Sequence, residues 1–458
     1  MTKNRRLSRR GLLKKSAVAG AAVAVAGGDG AAMGQAPAVV TNRLFKAWIS
    51  RGTGRNRTTL QDVRLRPPTG RQVVVRTEAT NLCYSNSALV LGLQDPPPAA
   101  GAPGSSLAAG TTNMALIQGH GGVGVVEAVG PEVRRVQVGD RVCVSGTPQC
   151  GSCYHCLRGR ADVCQLLGRN LPADFVPIAE MRDGTPVYAN SHIGGLAELM
   201  VTFEEWVVPI VSKAPAVDLG MVLGCVGVAG LGATTSGTLA KVTPGSAVAV
   251  VGCGPLGLSA VQGARIAGAS TIIALDPVRM RRELARKVGA THVLDPNAES
   301  NVIERVRALT AGPTNRTWSG GRDSTGRRVG AGADLVVEAA GMELAVPRVE
   351  RGPDPNGILP VQQAYEMASS GGDVITTGLI RGTLTLPAFL FAIGGVSHHG
   401  GQAGGTNPMR DIPRYVEMLH SGRYDAKAMV TRSVPLADMI GAYEEVIYRQ
   451  VVTTIMTA

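Results

Sequence analysis

The stretch Ser246-Ala247-Val248-Ala249-Val250-Val251-Gly252-Cys253-Gly254-Pro255-Leu256-Gly257 decides the fold. An apolar strand, Ser246–Val251, runs straight into three glycines spaced G-x-G-x-x-G, and a helical pattern follows through Ala267. Glycines at that spacing mean little alone. Flanked by a strand and a helix, they read as the turn that cradles a dinucleotide. Gly252 permits the tight turn, Gly254 lets the backbone approach a pyrophosphate, and Gly257 lets helix and strand pack closely. Pro255 and Leu256 open the helix, whose first N–H groups point at the phosphates. Asp276 ends the next strand, 19 residues past Gly257, where a carboxylate meets the adenosine ribose hydroxyls.

Outward from this turn, residues 245–379 alternate apolar strands with helical patterns, which predicts a doubly wound parallel sheet of the Rossmann type. The expected strands are Ala247–Val251, Thr271–Leu275, His292–Leu294, Leu335–Glu338 and Asp373–Thr377. The polar pieces Gly312–Gly332 and Arg351–Gly357 read as surface loops, and His398 and His399 as part of a Gly-rich loop. Asp276 favours NAD over NADP, because its charge repels a 2′-phosphate. Arg279, Arg281 and Arg282 pull the other way, with Arg281 the cofactor candidate among them. A Gly-rich turn of an unrelated α/β fold is the competing reading.

The segment Ala38–Pro215 reads as short β-segments with Gly/Pro turns, among them Gln72–Arg76, Gly122–Val129 and Arg141–Val144. Within it, Cys150-x2-Cys153-x2-Cys156-x7-Cys164 places four thiols at metal-binding spacing. Four thiolates fill a tetrahedral zinc, leaving no position for substrate, so such an ion is structural. Two disulfides, or a cysteine-held iron–sulfur cluster, are the alternatives. Cys83, His120 and Cys225 are scattered in turn contexts, and such a residue taken alone is more often a buried small residue or a satisfied histidine. Cys143 and Cys253 read as buried filler.

Over residues 40–458 the chain resembles the medium-chain zinc-dependent alcohol dehydrogenases, with the marks in the family's order. Cys83 stands where the first catalytic zinc ligand is expected, and Gly119-His120-Gly121-Gly122-Val123-Gly124-Val125-Val126 resembles the hairpin carrying the second. The four-cysteine lobe, Cys225 and the Gly252–Gly257 turn follow, and Gln137-Val138-Gly139-Asp140-Arg141-Val142 is a further shared phrase. The resemblance implies two zinc ions per chain. One is catalytic, on Cys83, His120 and Cys225, with a fourth position open; the other is structural, on the lobe. It also implies a GroES-like, mainly β catalytic domain split around the Rossmann domain: 37–226 with the zinc lobe, 227–402 for the cofactor, and 403–458 returning to the catalytic domain. The activity implied is hydride transfer between an alcohol, or an aldehyde or ketone, and NAD(P), with Ser85 passing the proton onward. A dimer or tetramer is implied as well. The chain departs from the pattern at Gly121 and Asn86, where the family usually carries carboxylates that steer the histidine or the metal. Two rival functions follow: an exported zinc protein of this fold without dehydrogenase activity, and a zinc-free quinone or enone reductase, which would not need seven metal ligands.

The chain has 458 residues, 44% of them hydrophobic, enough for two or three cores. Its net charge is +12, but the first 36 residues supply half of it, through Lys3, Arg5, Arg6, Arg9, Arg10, Lys14 and Lys15 against Asp29. With aromatics at 3% and no long basic run elsewhere, no nucleic-acid partner is expected. Ser8-Arg9-Arg10-Gly11-Leu12-Leu13-Lys14 and the Ala/Val/Gly run after it resemble a twin-arginine export signal over residues 1–36. The run is too short and too Gly/Ala-rich for a membrane span. This reading predicts passage through the export machinery to the periplasm or the outside, and a cytoplasmic protein if the signal does not function. A disordered basic tail is the alternative.

Overall fold

Val248 and Val250 enter one hydrophobic core while Ala249 and Val251 enter another. A strand apolar on both faces belongs in the middle of a sheet covered on both sides. The computed structural model places it there. It describes residues 42–52, 54–92, 114–168, 176–311, 331–343, 345, 348, 357–380, 382–386 and 394–458. The expected export leader lies outside the described residues, as do nearly all of the two expected loops after residue 311.

Six parallel strands form this sheet in the order His292–Leu294, Thr271–Leu275, Ala247–Val251, Ala333–Glu338, Ala368–Thr376, Ser397–Gly400. Numbered by sequence that is 3-2-1-4-5-6, the doubly wound Rossmann order. Helices Pro255–Ile266 and Arg279–Val288 contribute Leu258, Val261, Ala285 and Val288 to one face, and Val302–Thr310 and Ile358–Met367 contribute Val306, Ala364 and Tyr365 to the other. Strand order reverses between Ala247–Val251 and Ala333–Glu338. A ligand crevice opens at the carboxyl ends of such a strand pair.

The remaining strands build the GroES-like part. Leu44–Ser50, Thr58–Leu65, Ala179–Glu180, Pro186–Ala189 and Ala115–Ile117 close a barrel. A second sheet runs in the order Val207–Pro209, Arg141–Val144, Gly122–Val129, Gln72–Asn81, Thr454–Thr457, Arg432–Pro435, with Leu199–Phe203 also paired to Gln72–Asn81. The sequence-end strand Thr454–Thr457 thus joins the sheet of the amino-terminal half. Among the described residues no single helix is long and apolar enough to cross a membrane.

Several expectations change, and the strand expected at Asp373–Thr377 runs from Ala368 to Thr376. His398 and His399 lie in the edge strand Ser397–Gly400 rather than a loop; His398 Nε2 is 2.7 Å from Thr376 Oγ1 and His399 Nε2 is 2.7 Å from Asp373 Oδ1. Their pairing partner is the neighbouring strand, which no local apolar pattern announces. The strand expected at Gln72–Arg76 extends to Asn81, because Ala79, Thr80 and Asn81 pair with Thr457, Met456 and Ile455 from the far end of the chain.

Candidate active site

Cys83 follows the end of its strand, His120 sits just before the strand Gly122–Val129, and Cys225 opens the helix Cys225–Leu231. The fold brings their ligand atoms within 4.8 Å of one another. Gly119, which precedes the histidine, has φ +98, and a Cβ there would lie 2.9 Å from Gly195 N; only glycine fits this turn. Thr80 Oγ1 donates to the Gly121 carbonyl at 3.1 Å, fixing the hairpin from the neighbouring strand. Ser85 Oγ lies 3.2 Å from the Cys83 sulfur. Asn86 is buried, and its backbone N–H donates to the Cys83 carbonyl.

The three groups share charge unequally. A hydrogen bond from Cys225 holds the Cys83 thiol well below its ordinary value against the opposing effect of burial, and His120 helps. The same hydrogen bond and burial push Cys225 well above it. Burial alone lowers His120, but the Cys83 charge and hydrogen bond outweigh it and leave His120 raised. Two sulfurs and one imidazole in this array could hold a metal ion and leave a fourth position open. The donor set fits zinc.

The four lobe cysteines also have their sulfurs within 4.8 Å of one another. Cys153 N–H points at the Cys150 sulfur at 3.3 Å and Cys156 N–H at the Cys153 sulfur at 3.5 Å, so backbone dipoles favour thiolates there. Burial pushes Cys153 up, but N–H groups of Gln165 and Cys156 bring it down to about 6. All eight cysteines are free thiols in this structure. Cys143 and Cys253 are fully buried.

At the glycine turn, Gly252 has φ +93, and a Cβ there would meet Ala340 at 2.6 Å across the sheet's crevice. A Cβ on Gly257 would lie 1.8 Å from the Gly252 carbonyl oxygen, whereas one on Gly254 would meet only Arg281 Nη1, at 3.8 Å. Gly254 is therefore the open face of the turn. Pro255 and Leu256 begin the helix, whose first-turn N–H groups have no carbonyl four residues back within the helix.

Asp276 follows directly after its strand. Its Oδ2 accepts the Cys253 N–H and its Oδ1 the Val278 N–H, both at 2.7 Å, and it is buried. Of the three arginines, Arg279 pairs with Glu283 at 2.8 Å and Arg282 with Asp295 at 3.0 Å. Arg281 differs: its Nε is buried with no hydrogen-bond partner. Burial lowers its pKa, while the Asp276 charge works to hold it up. A desolvated cation beside the open face of a glycine turn fits a phosphate-bearing nucleotide.

Sequence reading missed three residues around this crevice. Arg449 stands at φ +58, bonds Glu343 at 3.2 Å, and acts electrostatically on Arg281. Glu338 ends its strand at the reversal point, fully buried, with Oε1 accepting the Ala340 and Gly341 N–H groups at 2.9 Å. Its Oε2 has no partner. The signal for Glu338 was a carboxylate closing an otherwise apolar strand. Asn81, two residues before Cys83, has an amide with neither nitrogen nor oxygen bonded. No sequence signal marked Asn81 or Arg449.

Residues 69–215 match the alcohol dehydrogenase GroES-like domain family and residues 255–352 the zinc-binding dehydrogenase family. A probable S-(hydroxymethyl)glutathione dehydrogenase 1 of Schizosaccharomyces pombe is 27% identical over 392 residues, covering 84% of this chain and 89% of the relative. An NDMA-dependent alcohol dehydrogenase of Amycolatopsis methanolica is 27% identical, with 84% and 91% covered. Among solved structures, an alcohol dehydrogenase zinc-binding domain protein from Burkholderia ambifaria superposes with a TM-score of 0.73 at 26% identity, over 91% of this chain and 99% of the other.

Proposed function

We propose a chemistry for this chain from one premise: it belongs to the medium-chain zinc-dependent alcohol dehydrogenase family and is an oxidoreductase of the alcohol dehydrogenase type. The proposal is reversible hydride transfer between an alcohol and NAD(P), giving an aldehyde or ketone. One observation carries it. Cys83, His120 and Cys225, from three separate segments, converge to within 4.8 Å in a chain whose parallel sheet opens a nucleotide crevice at Gly252–Gly257.

When bound, zinc supplies Lewis-acid polarisation of the substrate oxygen, and the nicotinamide supplies the hydride acceptor. The protein does the rest. Cys83, His120 and Cys225 hold the metal and leave one position for substrate. Ser85 Oγ, beside the Cys83 sulfur, takes the alcohol proton and hands it outward. Gly252, Gly254, Pro255, Leu256 and Gly257 receive the diphosphate, with Arg281 as the adjacent cation. Asp276 faces the adenosine ribose and favours NAD, because Arg279 and Arg282 are engaged by Glu283 and Asp295. The lobe cysteines Cys150, Cys153, Cys156 and Cys164 hold the second, structural zinc. Export through residues 1–36, with the folded protein already loaded, and assembly into a homo-oligomer belong to the same proposal.

The test is zinc content per chain together with nucleotide reduction across an alcohol panel, for the native protein and Cys83→Ala. Two zincs natively, one in the variant and activity lost are expected. Native protein with no turnover on any alcohol returns the chain to the class of non-catalytic zinc proteins.

A further inference from the structure

Gly224 is a glycine at φ −66, a backbone open to any residue. Sterics explain it: a Cβ there would lie 2.8 Å from Asn81 Cβ and 2.4 Å from the Gly220 carbonyl oxygen. The fold therefore keeps residue 224 bare beside the asparagine. Asn81 is 7% exposed, yet neither Nδ2 nor Oδ1 has a hydrogen-bond partner. Two donors and an acceptor are withdrawn from water with nothing gained, which a native interior avoids unless a missing partner completes them.

Position tells what that partner is. Asn81 lies two residues before Cys83 and abuts Gly224, the residue before Cys225, so it neighbours the segments that carry two of the candidate metal ligands. Its cross-strand partner is Ile455, and two residues from that, Thr453 Oγ1 is also buried without a partner. Beyond Cys83, Tyr84 acts electrostatically on Arg281, whose Nη1 reaches the open side of Gly254 and whose Nε is unpartnered. Unsatisfied polar atoms thus occur both beside the candidate metal-ligand segments, at Asn81, and beside the glycine turn, at Arg281. A ligand long enough to run from the metal site to the glycine turn, bearing hydroxyls and phosphoryl oxygens, satisfies both. Hydroxyls both donate and accept, matching an amide, and phosphoryl oxygens take its N–H groups.

We infer that Asn81 is a nucleotide-positioning residue: its side-chain amide binds the ribose–phosphate portion of the nicotinamide nucleotide from the side of the candidate metal-ligand segments. This rests on the proposed dehydrogenase reading and adds a contact that reading does not contain. It also makes residue 81 a place where stability is given up for binding, since an apolar side chain there would suit the empty protein better.

The experiment uses the zinc-loaded full chain, as native protein, Asn81→Leu and Asn81→Ser, the serine guarding against a leucine too bulky for the site. Melting temperature is measured without ligand, with NAD and with ADP-ribose, and dissociation constants by calorimetry. Zinc content and alcohol KM at saturating nucleotide are read alongside. Expected are native zinc content, a ligand-free melting temperature equal to or above native for Asn81→Leu, and a roughly tenfold rise in the dissociation constant of both nucleotides, the worth of one to two hydrogen bonds. Weakening of ADP-ribose as well as NAD locates the contact on the ribose–phosphate portion rather than the nicotinamide ring. Unchanged nucleotide affinity in both variants overturns the inference. So does a raised alcohol KM with intact nucleotide affinity, which would give Asn81 to the substrate. The dehydrogenase reading fails separately, by absent turnover in the native protein.

Discussion

The carboxylate of Asp276 reaches to the turn at the end of the neighbouring strand, where its Oδ2 accepts the N–H of Cys253 at 2.7 Å, in the middle of the glycine turn. With the matching bond to Val278, the residue expected to read the ribose also fastens the turn that receives the diphosphate. Asp276→Ala strips both acceptors from buried amides. Stability should fall by about 1–3 kcal/mol per orphaned group, and NAD should bind more weakly. Thermal unfolding with and without NAD checks this. An unchanged melting temperature would mean the two bonds contribute nothing.

The glycines of the turn should separate by substitution. Gly257→Ala forces a methyl to 1.8 Å from the Gly252 oxygen, so helix and strand must part; loss of soluble folded protein, or a destabilisation above about 3 kcal/mol, is expected. Gly254→Ala meets only the tip of Arg281 and keeps an allowed backbone, so it should fold with near-native stability and lose nucleotide affinity. Denaturant melts and nucleotide titration distinguish the two. Equal behaviour would contradict the geometry.

Glu338 gives the chain a pH signature. Burial lifts its carboxyl above the ordinary range, and the N–H groups of Gly341 and Ala340 offset only part of that. The folded protein thus keeps this proton to higher pH than the unfolded chain, where a glutamate titrates near about 4.3. Stability from this group is full below the unfolded value and declines as pH rises through the raised folded one. Glu338→Gln should flatten that decline in melting temperature as pH rises above the unfolded value of about 4.3. A variant with the native slope would rule Glu338 out as its source.

The lobe should behave as a stability element. Cys153→Ser removes one of four converging sulfurs, so zinc should fall from two to one per chain and the melting temperature with it, while turnover persists at low temperature. Metal analysis and residual activity after heating read the outcome. Loss of turnover with full catalytic zinc would tie the lobe to catalysis itself.

How much was legible beforehand depended on locality. The glycine turn, its strand and helix, and the lobe cysteines are short-range patterns, and each lies where its spacing put it. Cys83, His120 and Cys225 were joined only through resemblance, because their meeting depends on how distant strands pair. Asn81 was invisible for a related reason: its neighbours are Gly224 and Ile455, far along the chain. The same holds for His398 and His399, whose strand exists only by pairing with Ala368–Thr376. Nor does composition reveal an unsatisfied amide; that is a property of what surrounds it.

The spacing of the two ligand sets has a consequence in time as well as space. The lobe cysteines span residues 150 to 164, a loop that closes on itself at small entropic cost, so a metal held there would be captured by a short stretch of nascent chain. The other set spans 83 to 225 and exists only once the hairpin at His120 and the helix at Cys225 have docked. Loading should therefore be ordered, lobe first, and a chelator applied during refolding should leave a ladder of species rather than a simple mixture of full and empty protein.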